Sequence, residues 1–93
     1  MKYKLDIKYT SKPAWLVGMI GIATGYLDGS ETFDAATSII ESCLDETIIT
    51  TRNTKSKGSD LKRVCDYDNR TLVIYNQNTS IICTVKYIEI GVI

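Results

Sequence analysis

The sequence predicts an α+β domain: an antiparallel sheet of four to five strands with one amphipathic acidic helix, or two helices, packed on one face, in the order β-α(α)-β-β-β-β. Three observations predict it. Residues 2–9 alternate strictly, with Tyr3, Leu5, Ile7 and Tyr9 on one face and Lys2, Lys4, Asp6 and Lys8 on the other, which is the period of a half-buried strand. Residues 31–45 divide at about 100° per residue into an apolar arc of Phe33, Ala36, Ile39, Ile40, Cys43 and Leu44 and a stripe of Glu31, Asp34, Glu41 and Asp45, the signature of an amphipathic helix. From Glu46 onward the residues turn β-branched and are punctuated by turn formers, as in a meander.

Taken in order, the opening strand gives way to Thr10, Ser11 and Pro13, a helix-start signal with a capping hydroxyl and a proline in the first turn. Residues 13–27 then carry no charge. A helix there places Trp15, Met19, Ile22 and Tyr26 on one face. Gly18, Gly21 and Gly25 each cost such a helix about 1 kcal/mol relative to alanine, so an irregular or strand-like segment competes with it. Asp28 followed three residues later by Glu31 resembles a capping box and starts the acidic helix near Ser30. Burying Phe33, Ile39, Ile40, Cys43 and Leu44 supplies on the order of 6–12 kcal/mol before ordering entropy.

Thr47–Thr51 reads as a strand, and Asn53 to Ser59 as a polar loop that closes, mobile, at Gly58. Three strands follow, at Leu61–Tyr67, Arg70–Tyr75 and Ser80–Ile90, joined by turns at Asp68-Asn69 and Asn76-Gln77-Asn78. In the last strand Ile81, Cys83, Val85 and Tyr87 share one face while Ile88 and Ile90 fall on the other. Either a bulge resets the register there or that end is covered on both sides.

A length of 93 residues fits one domain, 1–93, able to fold without staples. Formal charge is zero but unevenly spread. Residues 1–12 carry +3 (four lysines, one Asp), residues 13–51 carry −6 (six acids, no base), residues 52–63 carry +4 (five bases, one Asp), and the rest carry −1. The uncharged run at 14–27 is too short for a bilayer that needs about twenty residues. A small-residue site at Ala23-Thr24-Gly25 makes a signal peptide arguable, but the strand-like first twelve residues oppose it. Cys43, Cys65 and Cys83 are an odd number without C-x-x-C spacing, and histidine is absent. That pattern fits core thiols in a reducing cytoplasm and gives no zinc set.

For chemistry the inventory is poor. No base is paired by spacing with a nucleophile, and no phosphate loop or dinucleotide fingerprint occurs, so the chain reads as a non-enzyme with no cofactor. Asp66, Asp68 and Asn69 have the oxygens for a Mg²⁺ or Ca²⁺ ion, but their composition is that of a hairpin turn, and no metal site is assigned.

Two charge features remain. The acidic set Asp28, Glu31, Asp34, Glu41, Asp45 and Glu46 has no basic neighbour within its own helix, and Asp45 and Glu46 oppose the macrodipole at the helix end. Its plain reading is a wet helix face, or one answered by Lys2, Lys4, Lys8 and the basic segment; its sharper reading is a docking surface for a basic protein. The second feature, Arg52, Lys55, Lys57, Lys62 and Arg63, makes a candidate nucleic-acid site with Tyr67 or Tyr75 stacking a base, and is the weaker of the two.

With 13 isoleucines and 11 threonines the composition is that of an A+T-rich gene, associated with accessory proteins of phages and mobile elements. The expected function is therefore a cytoplasmic binding protein that inhibits a host or defence-system protein through its acidic helix. The alternatives are a small nucleic-acid-binding module and a homodimer formed at the sheet edge by the long isoleucine-rich last strand. No membrane partner is expected.

Overall fold

The computed structural model describes residues 2–50 and 55–91. Strand β1 (Lys2–Tyr9) leads to helices α1 (Ala14–Gly25) and α2 (Phe33–Glu46), then to strands β2 (Ile48–Thr50), β3 (Lys55–Lys57), β4 (Arg63–Asp66), β5 (Thr71–Tyr75) and β6 (Ile81–Gly91). Four strands form one antiparallel sheet in the order β1-β6-β5-β4, and β2 and β3 pair separately. The architecture is the α+β arrangement expected.

Alternation decides which sheet face the helices cover. Cross-strand partners Leu5 and Tyr87, Ile7 and Val85, Leu72 and Val85, and Ile74 and Cys83 stack on the inner face, against Leu16, Ile20, Ile40 and Leu44 of the helices. Lys4, Asp6, Lys8 and Lys86 share the outer face. Two register shifts break the pattern in β6: Lys2 pairs Gly91 while Tyr3 pairs Glu89, and Ile74 pairs Cys83 while Tyr75 pairs Ile81. Ile90 and Ile82 are the extra residues. The reset at Ile90 comes too late to turn Ile88 inward, and Ile90 stays exposed.

Several expectations are corrected. The long β6 lies inside the sheet, between β1 and β5, not at its edge, so it offers no free backbone for edge pairing. The edges are the lysine-bearing β1 and the four-residue β4, both of the kind that discourages pairing. Helix α1 forms, but its N-cap is Pro13 without a side-chain cap, not Thr10 or Ser11. Its buried face is Leu16, Met19, Ile20 and Ala23, while Ile22 and Tyr26 are 62% and 69% exposed. The helix is thus rotated about one residue from the predicted face.

Helix α2 begins later than expected. Thr32 is its N-cap, accepting the Ala35 N–H at 3.2 Å. Asp28 and Glu31 form a box of their own just before it: the Asp28 N–H donates to Glu31 Oε2 at 2.8 Å, and the Ser30 N–H donates to Asp28 Oδ1 at 2.8 Å. Gly29, at φ 92°, supplies the left-handed residue this turn requires. Phe33, Ala36, Ile40 and Leu44 are buried as predicted. Ile39 and Cys43 are only half-buried, and Thr37 is buried instead, its hydroxyl donating to the Phe33 carbonyl at 2.9 Å.

Of the loop expected at Asn53–Ser59, residues 55–59 form regular structure, and Asn53 and Thr54 lie outside the described residues. Lys55–Lys57 pairs with β2 and continues into a 3₁₀ turn at Gly58–Asp60. Gly58 is buried, donates its N–H to the Thr47 carbonyl at 2.8 Å, and lies so close to α2 that a Cβ there would come within 1.9 Å of the Leu44 carbonyl oxygen. Glycine is needed for close approach, not for mobility.

Candidate docking site at the N-terminal end of the acidic helix

An aromatic cluster forms where the start of α2 meets the end of β6. Tyr3 and Tyr87, diagonal neighbours two residues out of register across the β1–β6 pair, stack with centroids 4.2 Å apart at 24°. Phe33, the first residue of α2, meets Tyr87 edge-on at 5.8 Å and Tyr67 edge-on at 5.6 Å. Such pairs contribute about 0.5–1.5 kcal/mol each beyond area burial. Tyr67 itself remains 64% exposed.

Glu31 fastens the cluster. Tyr3 Oη donates to its Oε1 at 2.5 Å, the N–H groups of Asp28 and Gly29 donate to its carboxylate, and Tyr87 Oη donates to its backbone carbonyl at 2.6 Å. The Tyr3 hydroxyl above all, followed by the Asp28 N–H, holds the Glu31 carboxyl at about 2, while burial and Glu31 push the Tyr3 phenol well above its usual range. Glu31 is therefore a structural carboxylate.

Beside this cluster opens a cleft of about 450 Å³ lined by Glu31, Phe33, Asp34, Tyr67, Arg70, Tyr87 and Glu89 among others. Asp34 is exposed, and its charge is the largest cause of the raised Tyr67 hydroxyl pKa. Arg70, at φ 50° in the β4–β5 turn, reaches over the Tyr87 ring at 5.9 Å and pairs with Glu89 at 2.5 Å. With Glu31 held by Tyr3 and Glu89 paired to Arg70, Asp34 is the carboxylate of the cleft left unpaired among the described residues, beside the exposed Tyr67 ring.

The other acidic residues divide. Asp28 is exposed and accepts from the Ser30 N–H and hydroxyl through Oδ1. Asp45 pairs with Arg63 at 2.6 Å, and the same Arg63 nitrogen donates to the Glu41 carbonyl at 3.1 Å. That guanidinium neutralises Asp45 and satisfies an α2 carbonyl, so the stripe is answered from within at Asp45 while the Glu41 carboxylate stays unpaired among the described residues. Lys2, Lys4 and Lys8 cannot answer the rest, because they lie on the sheet face away from the helices. Among the described residues Asp34, Glu41 and Glu46 form no ion pair.

The basic set does not assemble as one patch. Arg52 lies outside the described residues. Arg63 is held by Asp45, Lys62 lies 5.9 Å over the Tyr75 ring, and Lys55 and Lys57 stand two apart on β3. Tyr67 is not beside them; it belongs to the acidic cleft. Asp66 spends its carboxylate on the Asp68 and Asn69 N–H groups and the Asn69 amide, a turn role that leaves little for a cation. Cys83 is buried, its thiol pushed up to about 11 by burial, and Cys43 and Cys65 are half-buried.

Sequence reasoning missed Arg70 and Glu89 as site residues and set Tyr67 beside the basic segment instead of the acidic helix. A signal existed for Glu89: it shares the parity of Tyr87 in β6, and a carboxylate on the apolar face of a strand marks a pocket mouth. Nothing in spacing brings Tyr67 to Phe33, 34 residues away. No protein-family model, curated protein or solved structure matches the chain. Among the described residues no helix is long and apolar enough to cross a membrane.

Proposed function

We propose that this chain is a non-enzymatic binding protein that docks a basic surface of another protein through the N-terminal half of α2. The observation that carries it is the cleft that brings the exposed, unpaired Asp34 together with the Phe33, Tyr67 and Tyr87 rings, while Glu31 is held by Tyr3 and Glu89 by Arg70. Negative charge steers a basic partner to this end of the molecule, and the exposed Tyr67 ring is the kind of aromatic anchor that dominates binding energy. Asp34 and Glu41 extend the charged surface along the helix, whereas Glu31, Asp28 and Asp45 hold the fold.

The A+T-rich composition associates the chain with phage and mobile-element accessory proteins. An inhibitor of a host or defence-system protein, acting in the cytoplasm, is the role this reading assigns. Nucleic-acid binding has less support, because Arg63 is committed to Asp45.

Capture on the tagged protein from a nuclease-treated lysate, at low and high salt, tests the reading. Replacing Asp34 and Glu41 by lysine, or Tyr67 by alanine, is expected to weaken capture at least tenfold while thermal unfolding stays unchanged. Equal capture by the variants would remove the acidic face from consideration. Nucleic acid recovered only when nuclease is omitted, and lost with Lys55 and Lys57, would transfer the function to β3.

A further inference from the structure

The outer face of α1 has neither charge nor a partner among the described residues. Val17, Ile22 and Tyr26 are 43%, 62% and 69% exposed. Between them Gly18, Gly21 and Gly25 face open space, with nothing within 4 Å of a Cβ built on any of them. The apolar surface ends at the seam with α2, where Tyr26 and Cys43 line two clefts together with the charged Glu46. An exposed apolar face of this kind marks an interaction surface.

The arrangement is complementary to itself. A two-fold axis across the helix midpoint, between Met19 and Ile20, sets Val17 against Ile22 of a second copy, Gly18 against Gly21, and Ala14 against Gly25. All six positions are exposed. Side chain thus meets side chain and glycine meets glycine, which allows the two backbones to approach closely at the crossing. The charges flanking the helix agree with the same geometry. Lys12, just before α1, and Asp28, just after it, are both exposed. Antiparallel packing brings each Lys12 to the other copy's Asp28, whereas parallel packing would set like charges together.

We propose that this chain forms a two-fold dimer through antiparallel packing of α1 against α1. The surface is separate from the acidic cleft and does not depend on the function assigned to it. A helix of this length spans about 18 Å, so the pair buries less than a standard interface of about 1,200–2,000 Å² and belongs to the weak, transient class.

Sedimentation velocity over about 5 to 500 µM, the range suited to so small an interface, reads it directly. The expected result is a mass rising from monomer toward dimer, with Ile22→Lys, an exposed position, weakening association at least tenfold and leaving the thermal melt in place. Register is read by cysteine cross-linking: V17C mixed with I22C is expected to form an intermolecular disulfide faster than either variant alone, with the unmodified chain as background. A wild-type chain that stays monomeric throughout, or an Ile22→Lys variant that associates as well as wild type, overturns the proposal. So does a monomer that floats with phosphatidylcholine vesicles, which would give the same face to lipid.

Discussion

Helix α2 is tied to the rest of the molecule by polar bonds at both ends: Thr32 caps its first turn, Glu31 joins the incoming chain to Tyr3, and Arg63 holds the Glu41 carbonyl and Asp45 at the other end. Helix α1, of similar length, has no side-chain cap and no charged residue, and is held by the burial of Leu16, Met19, Ile20 and Ala23 alone. The contrast teaches where specificity comes from. Apolar burial is non-directional and fixes that a helix packs, whereas bonds between named atoms fix its start and its rotation.

The sharpest way to break the comparison is through glycine, because the same residue type has opposite roles beside the two helices. Gly58→Ala drives a methyl into the Leu44 carbonyl, and urea unfolding is expected to show a loss on the order of 3 kcal/mol, the upper range for overpacking. A loss under half of that would mean that the 3₁₀ turn moves away freely.

Next in size is the tether at the start of α2. Tyr3→Phe removes the hydroxyl donor to Glu31 and is expected to cost about 1–2 kcal/mol at neutral pH. The pH dependence has a definite sign. Because the folded-state pKa of Glu31 lies at about 2, below its ordinary 4.5, the contribution of this carboxylate is fully present above pH 4.5 and is lost as pH falls toward 2. The difference between wild type and Tyr3→Phe, followed by thermal melts, therefore shrinks across that window. A constant difference would place the cost of the substitution in packing and not in the hydrogen bond.

At the opposite end, Arg63→Ala leaves the Asp45 carboxylate and the Glu41 backbone carbonyl without their donor and is expected to cost about 1 kcal/mol, a magnitude set by the half-exposed carboxylate. Salt should reduce the difference; insensitivity to salt would mean that the buried part of the arginine side chain provides the stability. The smallest effect carries the opposite sign. Gly21→Ala on the open face of α1 meets no atom and, measured at low protein concentration, is expected to stabilise the chain by up to about 1 kcal/mol through helix propensity.

Much of the fold was legible because its signals are periodic. The alternation of residues 2–9, the split of residues 33–44 and the β-branched runs each mark an element through the side on which its own side chains fall. The apolar faces of β1 and α2 followed directly. The rotation of α1 did not, since a helix without a charged side has no polar face to exclude the wrong rotation, and only packing against Ile40 and Leu44 selects Leu16 over Ile22 for burial.

The site was legible in part, for a related reason. The stripe on α2 could be read as acidic, yet its carboxylates look alike in sequence. Tertiary contacts separate them into Glu31 bound to Tyr3, Asp45 bound to Arg63, and Asp34 standing open beside Tyr67. Tertiary contact also makes Gly58 a buried point of close approach where local reading saw the close of a mobile loop.

By itself the sequence determined the fold class, the four strands of the main sheet and the acidic character of α2, because each follows from local periodicity and composition. Only the tertiary structure decided the strand order, the rotation of α1 and which carboxylates remain open to a partner, because these depend on atoms brought together from distant parts of the chain.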